Sequence, residues 1–251
     1  MLLIDNPLFE AYVASCSFAL FILFFKTLHA TSLSRYRFPT AKTINFVGKL
    51  SLDIGIFISL PVYLLSIHSY HRLNQTPSLN TQRSHINHSI PPSLFRLATE
   101  LIIGIIAYDS IFFFIHKLLH KSTFLFHHIH SHHHHHNHLT PGSTVSHSLI
   151  DGMLQVMTNI AVQQYSPFGY KHTYSRLLHN VMVTYLLVEA HSEFDAPWSL
   201  HNIFGEKIYG GALRHRYHHA RKTVHYSQFF TFLDDWYGSS VSAQKCRAVR
   251  F

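Results

Sequence analysis

The chain is short of cysteine, of charge and of acid. Cys16 lies in an apolar stretch and Cys246 in a basic tail, so neither a disulfide framework nor a thiolate metal site is available. Charged residues make up 13% of the 251 and apolar residues 47%. The charged share is about half the roughly 25% usual for a soluble domain, which points to a membrane protein. Acids number 12 against 20 bases, a formal charge of +8, yet no basic amphipathic helix or recognition motif accompanies it, which argues against a nucleic-acid partner. The opening MLLIDNPLFE carries acids and no positive charge, unlike a cleaved signal peptide. Membrane insertion is expected to use internal segments. No flavin or nicotinamide fingerprint occurs, since YGGAL at 209–213 lacks the GxGxxG spacing.

Histidine is what the chain has in excess, 25 in all. His116 and His120 stand at i, i+4; His130, His133 and His134 at i, i+3, i+4; His215, His218 and His219 repeat that spacing. On a helix such residues share a face, about 5 to 6 Å apart at Cβ, so each group is expected to converge on a point. Eight imidazoles exceed what one tetrahedral zinc takes, and two ions suit the supply better. Imidazole serves zinc, copper, iron and nickel alike, so residue type leaves the metal open. The run from His132 to His136 also holds a second HxxHH, formed by His132, His135 and His136.

Apolar segments at 11–28, 50–70 and 97–115 read as membrane spans, the second with Pro61 as a kink. The third covers about 28 Å against a hydrocarbon thickness of about 30 Å and runs directly into His116. Segments 149–165 and 177–188, joined by SPFGYKHTYS, read as a helical hairpin that enters the membrane and returns. The expected fold is therefore all-α, a polytopic membrane helix bundle of about four to five membrane-embedded helices under a histidine-rich metal-binding cap. On this topology all three histidine groups share one side. The opposite side receives only Arg72, Arg83, Arg96, Lys171 and Arg176, leaving the other 15 bases with the histidines, and the positive-inside rule makes that side cytosolic. Residues 1–96 are expected to form membrane helices and a polar loop, 97–240 the catalytic unit, and 241–251 a basic tail.

Neutral imidazoles free of thiolate competition suit a redox-active iron centre that opens O2 and attacks a strong C–H bond. Electrons must then come from a partner, and a basic cytosolic face steers an acidic carrier. The pattern resembles the fatty acid hydroxylase superfamily of membrane sterol and lipid oxygenases. The resemblance starts at Tyr108 and Asp109, runs through HKLLH and the LF before HHIHSHHH, and continues in PGSTVSHSLIDGMLQ at 141–155. It resumes in VEAHSEFDAPWSLHNIFGEKIYGGALRHRYHH at 188–219 and ends in HYSQFFTFLDDWYGS at 225–239. HSEFDAPWS and GGALRHRYHH are most similar to the sterol 4-methyl oxidase and cholesterol 25-hydroxylase branch, and SHSLIDGMLQ is similar also to sterol desaturases.

The resemblance implies a dinuclear centre, iron in the cell and zinc in some purified samples. It implies an endoplasmic-reticulum enzyme that uses O2 and electrons from cytochrome b5 and its NAD(P)H-dependent reductase. It carries metal binding to His116, His120, His130, His133, His134, His191, His215, His218 and His219. The His130 register is preferred over His132, His135 and His136 because the preceding LF and the distance from His120 match the family. Asp195 and His201 are further candidates, since relatives offer a second histidine near the position of His191. His225 is a candidate for packing beside the ligands. Asp109, an ionisable group inside a span, is expected to hydrogen-bond a ligating imidazole and set its tautomer. Hydroxylation and desaturation both begin by removing a hydrogen, so the ligands leave both open. The reading from another class is a metal carrier with the polyhistidine run as collector, but a transporter places its ionisable ligands midway through spans, whereas these sit beyond span ends.

Overall fold

A computed structural model describes residues 9–38, 65, 90–135 and 139–249. Apart from residue 65, the expected second span at 50–70 lies outside the described residues, as does His136. Among those described there is no strand, only the isolated bridges Arg37–Phe194, Ser166–Gly169 and Tyr209–Phe230. Five helices carry the architecture: α1 (Phe9–Ala30), α2 (Leu94–Lys121), α3 (Leu149–Val162), α4 (Thr173–Ala190) and α5 (Gly211–Arg221).

Helix α2 begins where Ser93, following two prolines, caps the backbone N–H of Arg96 at 3.2 Å. At 28 residues it extends about 42 Å, beyond the roughly 30 Å of a bilayer's hydrocarbon. The excess carries His116 and His120 on the same rigid rod as the apolar stretch. Ile105, Tyr108, Asp109, Phe112, His116 and Leu119 form its buried stripe, so helical phase alone aims His116 inward. Ile102, Ile106, Ile111, Phe114 and Leu118 face outward and are exposed. That is the surface a lipid-facing helix presents. α1 is as apolar as α2 and packs on α4 and the segment after it through Ile22, Phe25, Val188 and Phe194, with Phe21 edge-on to Tyr185 at 5.2 Å.

The hairpin expected from the sequence forms, but with different ends and character. α3 starts at the Ser148 cap and stops at Val162, a rise of about 21 Å, too short to cross. α4 starts earlier than expected because the His172 ring accepts from the N–H of Tyr174 at 3.2 Å. The two helices face each other through Asn159 and Asn180, 2.9 Å apart, with Gln163 and His179 hydrogen-bonded to the pair. Among the described residues only α1 and α2 are long and apolar enough to span. Apolar content in α3 and α4 is spent partly on packing within the protein.

α5 passes close under α4. A Cβ on Gly211, whose φ is +45°, would lie 2.9 Å from the Glu189 carboxylate, so the approach requires glycine. Lys222, at φ +62°, ends the helix in the left-handed region. Glu193 is buried against Arg37 at 2.9 Å and Arg216 at 3.7 Å, which ties the turn after α1 to α5. The residues expected as a basic tail include a short helix, Ala243–Arg247, whose Cys246 packs on Leu213 and Phe38. Arg247 pairs there with Asp195 and Glu206.

Asp109 departs from its expected role. Its carboxylate accepts from the backbone N–H groups of Gln228, Phe229 and Phe230 at 2.7, 3.0 and 2.8 Å, not from an imidazole. Asp234 accepts from the N–H groups of Tyr226 and Ser227, both at 2.9 Å. Together the two carboxylates hold segment 226–230 against α2. Asp109→Asn replaces an acceptor of three amides with a group that also donates, so thermal unfolding in detergent is expected to show a loss of at least about 2 kcal/mol. Asp235→Asn, at the exposed neighbour of Asp234, should change stability by less than about 0.5 kcal/mol. Equal effects would mean that the clamp is not what holds the segment.

Candidate metal centre

Nine imidazoles from four parts of the chain meet in two adjoining groups that could hold a metal ion. His116, His120, His130, His134 and His218 form one; His133, His191, His215 and His219 form the other. Within each group the ligating nitrogens lie within 4.8 Å of one another. In the first, Nε2 of His116 stands 3.0 Å from that of His130 and 3.2 Å from that of His120. His134 Nε2 is 3.1 Å from His120 and His130 and 3.2 Å from His218. In the second, His215 Nε2 is 3.0 Å from His191 and 3.1 Å from His219, and His191 is 3.4 Å from His133.

The triplets do not each converge on one point, as their spacing suggested. On α5, residues i and i+4 differ by about 40° around the axis while i+3 lies about 60° to the other side. His215 and His219 accordingly enter the second group and His218 the first. The other triplet divides in the opposite sense, His130 and His134 to the first group and His133 to the second. Its backbone makes a π turn at Phe126–His130, followed by a 3₁₀ turn at His133–His135. Residues three apart eclipse on a 3₁₀ turn, and His132 and His135 accordingly point out together and are exposed, while His130, His133 and His134 are buried. Each His-His pair thus supplies both groups, which makes the groups neighbours.

The remote ring nitrogens decide what the near ones can do. Nδ1 of His116 donates to the Tyr226 carbonyl at 2.7 Å, that of His191 to Leu187 at 2.7 Å, that of His218 to Val224 at 2.7 Å and that of His133 to Ser146 at 3.1 Å. Nδ1 of His130 donates to the Asp151 carboxylate at 2.8 Å. A neutral imidazole with its proton on Nδ1 has only a lone pair on Nε2. The short contacts His116–His130 and His133–His191 therefore set lone pair against lone pair, which repels unless a cation lies between. Bonds of about 2.0 to 2.1 Å to a shared ion place neighbouring nitrogens about 2.9 to 3.4 Å apart, the spacing seen here. The donor set fits a metal with nitrogen preference and excludes thiolate chemistry.

Asp151 was not singled out in the sequence, although it is fully buried and orients His130. Its signal was there in SHSLIDG: Ser148 caps the N–H of Asp151 at 3.2 Å and donates to the Ile129 carbonyl at 2.6 Å, fixing α3 to the π turn. His201 and Asp195 pair with each other at 2.9 Å and stand outside both groups. His225 contacts Arg214 and accepts from the N–H of Val241 at 3.2 Å, also outside. None of the three supplies a nitrogen or oxygen to either group.

Burial favours the neutral form of six of these imidazoles. It pulls His191 down to about 4, and it pulls His133, His134, His215, His218 and His219 well below the usual histidine range, with neighbouring imidazoles adding to the effect. A histidine whose folded value lies below its unfolded value of about 6.5 contributes stability that is complete above that pH and is lost as pH falls; for His191 the window runs from about 6.5 to about 4. Protons compete with a metal for the same lone pairs in the same direction. Retained metal, measured after gel filtration, is expected to be constant from pH 7 to 8 and to fall steeply below about 6.5. Asp151→Asn should weaken retention by about 10- to 100-fold at pH 7, and unchanged retention would remove Asp151 from this role.

A protein-family model described as fatty acid hydroxylase matches residues 101–239. Cholesterol 25-hydroxylase of Rattus norvegicus is 28% identical over 151 residues, 59% of this chain and 49% of that protein. Methylsterol monooxygenase 2-2 of Arabidopsis thaliana is 28% identical over 228 residues, 87% of this chain and 79% of that protein. Very-long-chain aldehyde decarbonylase GL1-8 of Oryza sativa subsp. indica is 26% identical over 156 residues, 61% and 56% of the two chains. The chain spans about half the length of the cholesterol 25-hydroxylases it matches. No solved structure matches.

Proposed function

The chain belongs to the fatty acid hydroxylase family, and from that premise we propose that it is a membrane oxidoreductase that hydroxylates an unactivated C–H group of a sterol or related lipid at a di-iron centre. One oxygen atom of O2 enters the carbon and the other leaves as water, with two electrons and two protons supplied from outside the chain. Bound iron would supply the redox chemistry for that exchange. The residues' part is to hold the metals: His116, His120, His130, His134 and His218 for one ion, and His133, His191, His215 and His219 for the other. The observation that carries the reading is the facing of bare Nε2 lone pairs at 3.0 Å between His116 and His130, two rings whose Nδ1 protons are already committed to Tyr226 and Asp151.

Carbonyl and carboxylate partners keep the rings from turning, and burial keeps water from the lone pairs. With residues 97–240 as the catalytic unit and the histidines on the cytosolic side of the endoplasmic-reticulum membrane, cytochrome b5 and its reductase are the electron donors in this reading. Desaturation of a lipid is the second reading. It is favoured by the printed names of relatives less than hydroxylation, since two of those relatives are named for oxygen insertion into sterols. A metal carrier is disfavoured by the same geometry, because buried ligands locked through Nδ1 are built to retain an ion.

Purified protein is expected to contain about two irons per chain. His218→Ala and His219→Ala, which remove one donor from different groups, should each lower iron, and the double variant should abolish lipid oxidation in cells that express it at the level of the unaltered chain. Sterols and fatty acids identical with and without the active chain, in cells where iron-loaded protein accumulates, would contradict the oxygenase reading.

A further inference from the structure

Among the described residues, Glu193, Lys222 and His225 have a positive φ without being glycine. Lys222 closes α5, a common place for such a residue. His225, at +56°, lies outside every helix and supplies no nitrogen to either histidine group. Its neighbours explain its place. The Val224 carbonyl accepts from Nδ1 of His218 at 2.7 Å, and the Tyr226 carbonyl accepts from Nδ1 of His116 at 2.7 Å. Both rings belong to the first group, with centroids 4.5 Å apart. His225 therefore stands between two carbonyls that orient two ligands of the same ion.

An extended strand turns successive N–H groups to opposite sides. Here those of Tyr226 and Ser227 both reach the Asp234 carboxylate at 2.9 Å, while that of His225 donates to the Ser239 carbonyl at 2.8 Å. A left-handed residue lets neighbouring N–H groups gather on one anion, with the Val224 and Tyr226 carbonyls left for the rings. The conformation is costly for an L residue, although histidine adopts it more readily than most. Contacts of the His225 ring offset that cost. The ring is buried between α5 and the tail, where it accepts from the N–H of Val241 at 3.2 Å. The Arg214 guanidinium lies 3.4 Å away, the Cys246 sulfur 3.5 Å, and the Tyr217 ring edge-on at 5.9 Å between centroids.

We infer that His225 is a positioning residue for the first metal group. Its left-handed backbone aims the Val224 and Tyr226 carbonyls at His218 and His116, and its ring, wedged between α5 and the tail, holds that conformation. The residue binds no ion itself. In the second group the carbonyl partners are those of Leu187 and Ser146, so a change at His225 acts on one ion of the two. This rests on the nine imidazoles being metal ligands, and not on the reaction they serve.

Substitution separates backbone from ring. Alanine loses the ring and keeps the cost of the left-handed region, whereas glycine loses both together. Cobalt(II)-loaded full-length chain in detergent micelles, titrated with EDTA and followed by its d–d absorption, reads the affinity of each ion. His225→Ala is expected to weaken one ion by at least about tenfold, as loss of a ligand's hydrogen-bond partner does, and to leave the other within about twofold. His225→Gly should weaken the same ion by less than about threefold. The effect of His225→Ala should persist when the second group is disabled by His215→Ala with His219→Ala, and vanish when the first is disabled by His120→Ala with His134→Ala. No loss in His225→Ala, an equal loss of both ions, or a loss in His225→Gly as large as in His225→Ala would each overturn the proposal. An unaltered chain that holds no cobalt would overturn the metal centre and this proposal with it, so the two failures are distinguishable.

Discussion

Lone-pair repulsion among buried neutral imidazoles is the constraint on which this molecule depends. Bringing His116 and His130 to 3.0 Å through Nε2 in one group, and His133 and His191 to 3.4 Å in the other, gains nothing in the absence of a cation. For five of the nine rings, His116, His130, His133, His191 and His218, an acceptor on Nδ1 keeps the proton there and leaves Nε2 bare. Tyr226, Val224, Leu187 and Ser146 give carbonyls and Asp151 a carboxylate to the far nitrogens. These partners come from segments far apart in sequence, which packing against α2 and the Asp109 and Asp234 contacts help to bring to the site.

That requirement explains the distribution of buried acids. Asp109 and Asp234 touch no ligating imidazole, yet each pins backbone N–H groups of the segment whose Tyr226 carbonyl fixes His116. Glu193 binds Arg37 and Arg216 and so links the end of α1 to the helix bearing His215, His218 and His219. Removing water from these groups is tolerable because each finds several donors. The long α2 joins the arrangement to its apolar stretch, since His116 belongs to the same buried stripe as Ile105 and Phe112.

Much of this was legible in the sequence, for identifiable reasons. Helical phase made the i, i+3, i+4 histidines visible, and hydropathy made α1 and α2 visible. The hairpin of α3 and α4 was visible as two elements but not as helices facing each other through Asn159 and Asn180, because hydropathy sums a segment and does not say where its polar side lies. The division of each HxxHH between two groups follows from angles that a search for convergence overlooks. Asp151 was missed because one acid in a helical first turn has an adequate explanation in capping. Asp109 was given the wrong partner because a sequence shows ionisable side chains and not the backbone amides of a segment far along the chain.

Membership of the fatty acid hydroxylase family and the facing lone pairs are independent observations that lead to the same cap. The most direct measurement is a density map of the iron-loaded chain with iron-edge anomalous signal. The account predicts two peaks, one enclosed by His116, His120, His130, His134 and His218 and the other by His133, His191, His215 and His219. A single peak, or metal held by the exposed His132 and His135 with these nine rings apart, would contradict it.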